Sequence, residues 1–327
     1  MARVALLVAL LPACVVQDIV YGPVDPSDPT PVRITVPPGT TARGTGPLLA
    51  KAGLIESGWR WRFLLEFAAD GGCVNAGDFE LRRDMSLPEI HAVLCGPPLP
   101  DDVPFTVVEG WRIRDIDAAL AAGGFGAPGA YAALAADPAS FTAPFPLPEG
   151  TLEGYLFPDT YMVSPSKYDP RTFVSRQLDA FATRFWASAK DGLGNRSLHD
   201  VVTVASMVER EEPTPARRPL VAGIIWKRLD GGWQLGVDAT SRYTLPDWNH
   251  REAFLEKLRD PRDPYNTRLH GGLPPTPIGN PGITALEAAV APEESPYWFY
   301  LHDATGGTHF ARTGAEHEAN RRRWEVW

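Results

Sequence analysis

The stretch "VVTVASMVEREEP", residues 201–213, places an acid on the apolar side of a predicted helix. Ser197 is a suitable N-cap, and Pro213 ends the helical pattern. Apolar side chains recur at helical spacing at Leu198, Val201, Val202, Ala205 and Val208. The periodicity assigns other residues to the opposite side, among them Thr203, Ser206 and Met207. Glu209 continues the apolar spacing, so it belongs to the apolar stripe.

Three effects should raise the pKa of Glu209. It shares an apolar stripe, it lies in the last turn where the helix dipole disfavours negative charge, and Glu211 and Glu212 add like charge. A carboxyl group that stays protonated near neutral pH can serve as a general acid. The alternative is that Glu209 only ends the helix in solvent or pairs with an arginine.

Composition limits the function classes that remain. The chain has 327 residues, enough for two domains, and its 44% hydrophobic and 22% charged residues are typical of globular proteins. A net charge of −9 argues against nucleic acid as a partner. The sequence has no HExxH, no Cys/His metal spacing, no GxGxxG, no P-loop and no GxSxG, so we expect neither metal nor cofactor. The candidate side chains that remain are acids, amides and aromatic residues, and together they suit a carbohydrate site outside the cytoplasm.

Residues 1–20 are typical of an export segment. One arginine precedes an apolar run from Val4 to Leu11, which is shorter than the roughly 20 residues of a transmembrane span. "LPAC" resembles a lipobox that would make Cys14 a lipidation site, although Pro12 is unusual there. A signal anchor extending to Val20 and a mis-assigned start codon are the alternatives. Each interpretation places the body of the protein on the extracytoplasmic face of the cell membrane.

The two remaining cysteines form an even pair in an exported chain. Cys73 and Cys95 are therefore predicted to form a disulfide, which would contribute roughly 3 kcal/mol. Two buried free thiols are the alternative.

The pattern along the chain predicts an α+β fold. Residues 21–31 form a Pro/Asp-rich linker, residues 32–108 a small unit of strands and helices, and residues 109–327 a mixed helix and strand domain. Helices are predicted at 171–190, 197–212, 216–230, 250–259 and 283–290, and a late hairpin is predicted to turn at Gly306 and Gly307. A weak internal repeat at an offset of 71 residues matches Gly39, Arg43, Leu49, Ala50 and Gly53 to Gly110, Arg114, Leu120, Ala121 and Gly124. Chance similarity in an Ala/Gly-rich sequence is the alternative.

Three further motifs offer polar side chains in turns and loops. "LPEGTLEGYLFPDTY" contains Glu153 and Tyr155, "GVDATSRYTL" contains Asp238, and "DPYNTRLHGGLPPTPIGNPG" contains Tyr265, Asn266 and Asn280. Tyrosine faces and amides suit neutral sugar rings and acetamides. The structural alternatives are an aromatic turn capped by Glu153, an N-cap at Asp238 and a rigid loop.

Five motifs in series resemble those of the YceG-like endolytic murein transglycosylases: "TLEGYLFPDTY", "VASMVEREE", "LGVDATSRY", "DPYNTRLHGGLPPTPIGNPG" and "GTHFARTGAEH". The resemblance runs from about residue 32 to the end, and the region around "VPPGTTARGTGPLLAKAGLI" resembles that family's LysM-like region. It implies a small LysM-like α/β region before the catalytic domain. One departure is Gly236, where many members have glutamine, and the short N-terminal anchor is another.

The resemblance also implies an activity. Such enzymes cleave nascent peptidoglycan strands between N-acetylmuramic acid and N-acetylglucosamine, which leaves 1,6-anhydro ends. Glu209 matches the catalytic acid, and Glu153, Asp238 and Asn266 match other motif positions expected to line the cleft. Peptidoglycan glycan strands are the expected substrate, and peptidoglycan synthases at the membrane are expected partners. A hydrolytic muramidase and a non-catalytic peptidoglycan-binding scaffold are the alternatives.

Overall fold

The computed structural model describes residues 21–67 and 72–324. The chain forms two compact units, one ending at Asp102 and the other beginning at Val103. In the described residues, helices are combined with three separate two-stranded antiparallel sheets, so the expected α+β class is confirmed. The division falls a few residues before the expected boundary after residue 108, because strand Val103–Thr106 pairs within the second unit.

In its described residues, 21–67 and 72–102, the N-terminal unit packs three α-helices against one two-stranded sheet. Its elements are β1 (Pro31–Val36), α1 (Thr45–Lys51), α2 (Gly58–Phe67), β2 (Gly77–Arg82) and α3 (Leu87–Cys95). Alternate residues of β1 point inward, so Ile34 and Val36 are buried with Trp61 in the core. Helix α3 begins at Ser86, whose backbone N–H and hydroxyl both donate to the Glu89 carboxylate at 2.7 Å.

The segment expected to be a linker is held against this unit. The backbone N–H of Asp25 donates to the carbonyl of Arg83 at 3.1 Å, and the N–H of Asp84 donates to the carbonyl of Asp28 at 3.2 Å. The unit is also cross-linked by a disulfide between Cys73 and Cys95, the pair expected from the sequence. Its LysM-like character stays a prediction from the resemblance.

The leader with Cys14 lies outside the described residues, so the lipidation site stays a prediction. Across residues 21–67 and 72–324, no helix combines the length and the apolar character needed to cross a bilayer.

The second unit contains ten α-helices and four strands among the described residues. In chain order they are β3 (Val103–Thr106), α4 (Ile113–Ala122), α5 (Ala130–Ala135), β4 (Thr160–Val163), α6 (Pro170–Phe181), α7 (Ala187–Ala189), α8 (Leu198–Glu211), α9 (Arg218–Asp230), α10 (Asp238–Arg242), α11 (Arg251–Lys257), α12 (Ile283–Val290), β5 (Phe299–His302), β6 (Thr308–Ala311) and α13 (Gly314–Arg323). A π-helical segment, Ala182–Trp186, joins α6 to α7. The predicted late hairpin is confirmed as β5 and β6, with Gly306 at φ +84° in the turn.

Helix α8 is the central element of the second unit. Ser197 caps it as predicted, because its hydroxyl accepts from the N–H of Asp200 at 3.0 Å. The side of the helix opposite the apolar stripe is buried as well, since Thr203, Ser206 and Met207 are all buried. The helix packs against both α9 and α12, which also pack against each other, and residues 201–208 along it are all buried.

The internal repeat has a matching backbone. Gly39 and Gly110 follow their strands with φ of +80° and +78°, and Gly53 and Gly124 end their helices with φ of +70° and +79°. The matching leucines of these helices, Leu49 and Leu120, are both buried. Each copy is therefore a strand, a left-handed glycine turn and a helix.

Candidate active site

Glu209 lies in the last turn of α8 and is almost fully buried. Its side chain is 6% exposed, and Arg218, the first residue of α9, holds both carboxylate oxygens at 2.6 and 3.1 Å. The N–H of Gly282, at the start of α12, donates to Oε2 at 3.0 Å. Glu209 therefore pairs with an arginine, as the alternative interpretation held, but inside the protein rather than in solvent.

Arg218 is itself fixed by three neighbours. Its Nε donates to the carbonyl of Glu212 at 3.0 Å, and its Nη1 donates to the hydroxyl of Thr284 at 2.5 Å as well as to Glu209. A guanidinium held in this way orients the Glu209 carboxyl group in one plane.

The pKa of Glu209 is raised above its ordinary value, chiefly by burial. Arg218 and the Gly282 N–H act in the opposite direction, and the nearby Glu109 raises the pKa further. The pKa of Glu209 is thus shifted in the expected direction, but the like charge that raises it is Glu109 rather than Glu211 or Glu212. Glu211 and Glu212 have other partners: Glu211 accepts from the Tyr300 hydroxyl at 3.1 Å, and Glu212 accepts from the Thr308 hydroxyl at 2.7 Å.

Two loops are joined directly beside Glu209. The N–H of Gly110 donates to the carbonyl of Asn280 at 2.7 Å, and the N–H of Asn280 donates to the carbonyl of Trp111 at 2.9 Å. A Cβ at Gly279 would lie 2.5 Å from the carbonyl oxygen of Gly110, so only glycine permits this approach. This junction fixes Glu109 and Gly282 close to Glu209.

The side chain of Asn280 connects three segments. Its Oδ1 accepts from the N–H groups of Gly154 and Leu156 at 2.9 and 3.0 Å. Its Nδ2 donates to the carbonyl of Trp111 at 2.9 Å and to Glu153 at 3.1 Å. Asn280 is fully buried, so its contacts hold the loops that form the site.

Glu153 belongs to a later loop, and its buried carboxyl group lies at the N-terminus of α4. It accepts from the N–H of Ile113 at 3.2 Å and from the hydroxyl of Tyr243 at 3.0 Å, in addition to Asn280. Burial raises its pKa to about 7, although the Ile113 N–H and the Tyr243 hydroxyl act in the opposite direction. Glu153 thus caps the distant helix α4 rather than its own turn, and a contact between Glu153 and substrate stays a prediction.

Two other residues singled out from the sequence lie in the interior. Tyr155 is 1% exposed and stacks on Phe145 at 6.1 Å between ring centroids. Asn266 is fully buried, donates to the carbonyl of Lys257 at 2.9 Å and accepts from the N–H of Arg268 at 3.1 Å. These positions favour packing and loop-holding roles, and substrate contact by either stays a prediction.

Two more are partly accessible. Tyr265 is half-buried. Its hydroxyl forms a 2.8 Å hydrogen bond with the hydroxyl of Thr276, and its ring centroid lies 4.9 Å from that of Tyr243. Asp238 is 41% exposed and pairs with Arg268 at 2.6 Å. Both remain able to meet a bound strand. Gly236 has φ +62°, which a glutamine would adopt only with strain.

Sequence reasoning missed Arg218 and Glu109. Arg218 is one of several arginines near the start of α9, and nothing in the periodicity selects it. Glu109 could have been found, because it immediately precedes Gly110, a glycine of the internal repeat. In the described residues, Cys73, His91 and Cys95 bring potential metal ligands within 4.8 Å of one another, but the disulfide occupies both sulfur atoms.

Comparison with known proteins agrees with this architecture. The chain belongs to the YceG-like family, whose model matches residues 34–323. It is 27% identical over 315 residues to a Bacillus subtilis (strain 168) protein named endolytic murein transglycosylase, which covers 90% of this chain and 85% of that protein. A Streptococcus pneumoniae (serotype 2, strain D39) protein of the same name is 24% identical over 329 residues, covering 91% of this chain and 59% of that protein.

A solved structure has the same fold. The crystal structure of a YceG-like protein from Listeria monocytogenes aligns with a TM-score of 0.55 at 23% identity, covering 89% of this chain and 99% of that one. At this identity the likeness concerns the fold alone.

Proposed function

We propose that this chain is an endolytic lytic transglycosylase that cleaves peptidoglycan glycan strands. The observation that carries the proposal is Glu209, a buried acid of raised pKa held by Arg218 at the junction of α8, α9 and α12. Membership of the YceG-like family and the names of the bacillary and streptococcal relatives support it.

In the proposed reaction, protonated Glu209 gives its proton to the glycosidic oxygen between N-acetylmuramic acid and N-acetylglucosamine. The bond from that oxygen to the muramic anomeric carbon breaks as an oxocarbenium-like state develops. The muramic C6 hydroxyl then attacks the same carbon and returns its proton to Glu209. No water is consumed, and the 1,6-anhydro ring forms at high effective molarity because the nucleophile belongs to the same sugar.

Arg218 has a defined part in this cycle. Before the proton is donated, burial keeps the Glu209 pKa above its ordinary value, and a bound strand that excludes water strengthens the same effect. After the proton is donated, the guanidinium faces a newly formed carboxylate and stabilises it. One acid therefore serves in both steps.

The test is mass spectrometry of the glycan ends released from polymerised, uncrosslinked strands by residues 22–327. Wild type should produce anhydro-muramic ends, and Glu209→Gln should lose nearly all cleavage while folding normally. Glu256→Gln is a matched control, since Glu256 is an exposed glutamate near the C-terminus of a helix in the same unit. An active Glu209→Gln variant would contradict the assignment of the acid.

A hydrolytic muramidase is the second candidate, and the proximity of Glu109 to Glu209 favours it. A hydrolase would use the second carboxylate with water and would release reducing ends instead of anhydro ends. Strands that sediment with the protein but stay intact would indicate a binding scaffold.

We also propose that the chain is attached to the cell membrane by residues 1–20, with its body outside the cytoplasm and beside the synthases that make the nascent strands. The leader sequence and the nature of the substrate support this placement. Cys14→Ser should release the protein from the membrane fraction if Cys14 is lipidated. Retention of that variant in the membrane would favour a signal anchor instead.

A further inference from the structure

Glu109 is held next to Glu209 by the backbone of its own loop. It follows β3 and precedes Gly110, whose left-handed conformation has φ +78°. A Cβ at Gly110 would lie 3.5 Å from Cγ of Glu209 and 3.1 Å from Cδ of Arg210, so the loop packs on the last turn of α8. This packing fixes the turn at Gly110, and the turn in turn fixes the position of Glu109.

Both carboxyl groups contact Gly282. Its N–H donates to Oε2 of Glu209 at 3.0 Å. A Cβ at this residue would overlap Oε1 of Glu109, so the Glu109 carboxyl group occupies the space that any larger residue would fill. Both acids thus lie against the same glycine, at the start of α12.

The two acids differ in their surroundings. Glu209 is buried and paired with Arg218, whereas Glu109 is exposed. The negative charge of Glu109 nevertheless acts on Glu209, whose pKa it raises. A buried proton donor beside an exposed carboxylate is the division of labour that many glycosidases use.

We propose that Glu109 is the second carboxylate of the active site, which faces the reacting muramic ring and stabilises the positive charge that develops there. This inference rests on the proposed function. Glu109 forms no bond to the sugar in this role, since the C6 hydroxyl closes the ring and Glu209 handles the proton. Its charge favours the oxocarbenium-like state and favours protonated Glu209, and both effects accelerate cleavage.

The substitution Glu109→Gln tests the proposal. We expect kcat for strand cleavage to fall about 100-fold with little change in KM, because the lost interaction strengthens in the transition state. Glu109→Asp should restore part of the rate. Glu149→Gln is the matched control, since Glu149 is also exposed and also precedes a glycine of positive φ, Gly150 at +82°.

The pH profile separates an electrostatic role from a structural one. The charged groups that face Glu209 are Arg218 from α9, Arg210 from α8 and Glu109 from the loop after β3, and Gly282 adds its N–H from α12. Cleavage should decline as pH rises and Glu209 loses its proton. Removing the Glu109 charge lowers the Glu209 pKa, so this decline should begin at lower pH in Glu109→Gln.

Two results would overturn the proposal. One is a Glu109→Gln variant with the rate and pH profile of wild type. The other is a slow variant whose profile is unchanged and whose thermal unfolding temperature has dropped, which would make Glu109 structural. A titration of Glu209 by carbon-13 NMR in wild type and Glu109→Gln needs no turnover. Equal Glu209 pKa values there would reject the coupling, whereas absence of anhydro ends from wild type would reject the proposed function alone.

Discussion

The buried Glu153 makes folding stability depend on pH in a direction that can be worked out. Its pKa in the folded protein is about 7, compared with an ordinary value of 4.5. Between those two pH values the folded chain keeps a proton that the unfolded chain has released. The contribution of Glu153 to the free energy of unfolding should therefore be largest below pH 4.5 and should fall as pH rises towards 7.

The size of this effect follows from the same two values. A difference of about 2.5 pKa units corresponds to about 3 kcal/mol, at 1.36 kcal/mol per unit. Glu153→Gln removes the titration and keeps a neutral group of similar shape. Relative to wild type, the variant's free energy of unfolding should accordingly rise by about 3 kcal/mol between pH 4.5 and pH 7.5, because only wild type then has to bury a charged carboxylate.

Urea unfolding of both proteins across this pH range measures the difference, and other titrating groups cancel in it. Glu149→Gln, which changes an exposed glutamate, should show no such trend. A difference that stays constant with pH would refute the reasoning. A difference that changes in the opposite direction would mean that Ile113, Tyr243 and Asn280 hold Glu153 ionised.

Three further predictions concern the loops and the N-terminal unit. Gly282→Ala should reduce the rate of strand cleavage about as much as loss of Glu109, because φ of −74° permits alanine but the new methyl group would displace the Glu109 carboxylate. Gly271→Ala is the control and should be neutral in the same rate assay, because its new methyl group would meet nothing within 4 Å. Asn280→Ala should lower the free energy of unfolding by about 2–4 kcal/mol in urea, because two buried N–H groups lose their acceptor, and an unchanged midpoint would contradict the role given to this side chain. Cys95→Ser should destabilise the N-terminal unit by about 3 kcal/mol, and reducing agent should bring wild type to the same thermal midpoint; a wild type unaffected by reductant would contradict the estimate.

The elements that sequence predicts well are those set by local rules. The start of α8 at Ser197 and the hairpin turn at Gly306 follow from capping and from glycine conformations, which act over a few residues. The apolar stripe identified Glu209 as a buried acid for the same reason, since burial on a helix follows its periodicity.

The missing parts of the site depend on contacts between distant segments. Arg218 reaches Glu209 because α9 packs on α8, and Glu109 reaches it because the loops at Gly110 and Asn280 join. Tyr155 shows the converse limit: the sequence left both a sugar-binding face and an aromatic turn open, and only tertiary packing encloses its ring in the core. Local patterns reveal which residues are unusual, whereas tertiary packing decides which of them meet.

The most direct measurement of the central claim is strand cleavage in water enriched in oxygen-18, followed by mass spectrometry of the new muramic ends. Intramolecular attack by the C6 hydroxyl predicts anhydro-muramic ends, which are lighter than reducing ends by one water molecule and carry no oxygen-18. Glu209→Gln should not produce them. Reducing ends that carry one oxygen-18 would contradict the account, since they would show that water, and not the sugar's own hydroxyl, attacks the anomeric carbon.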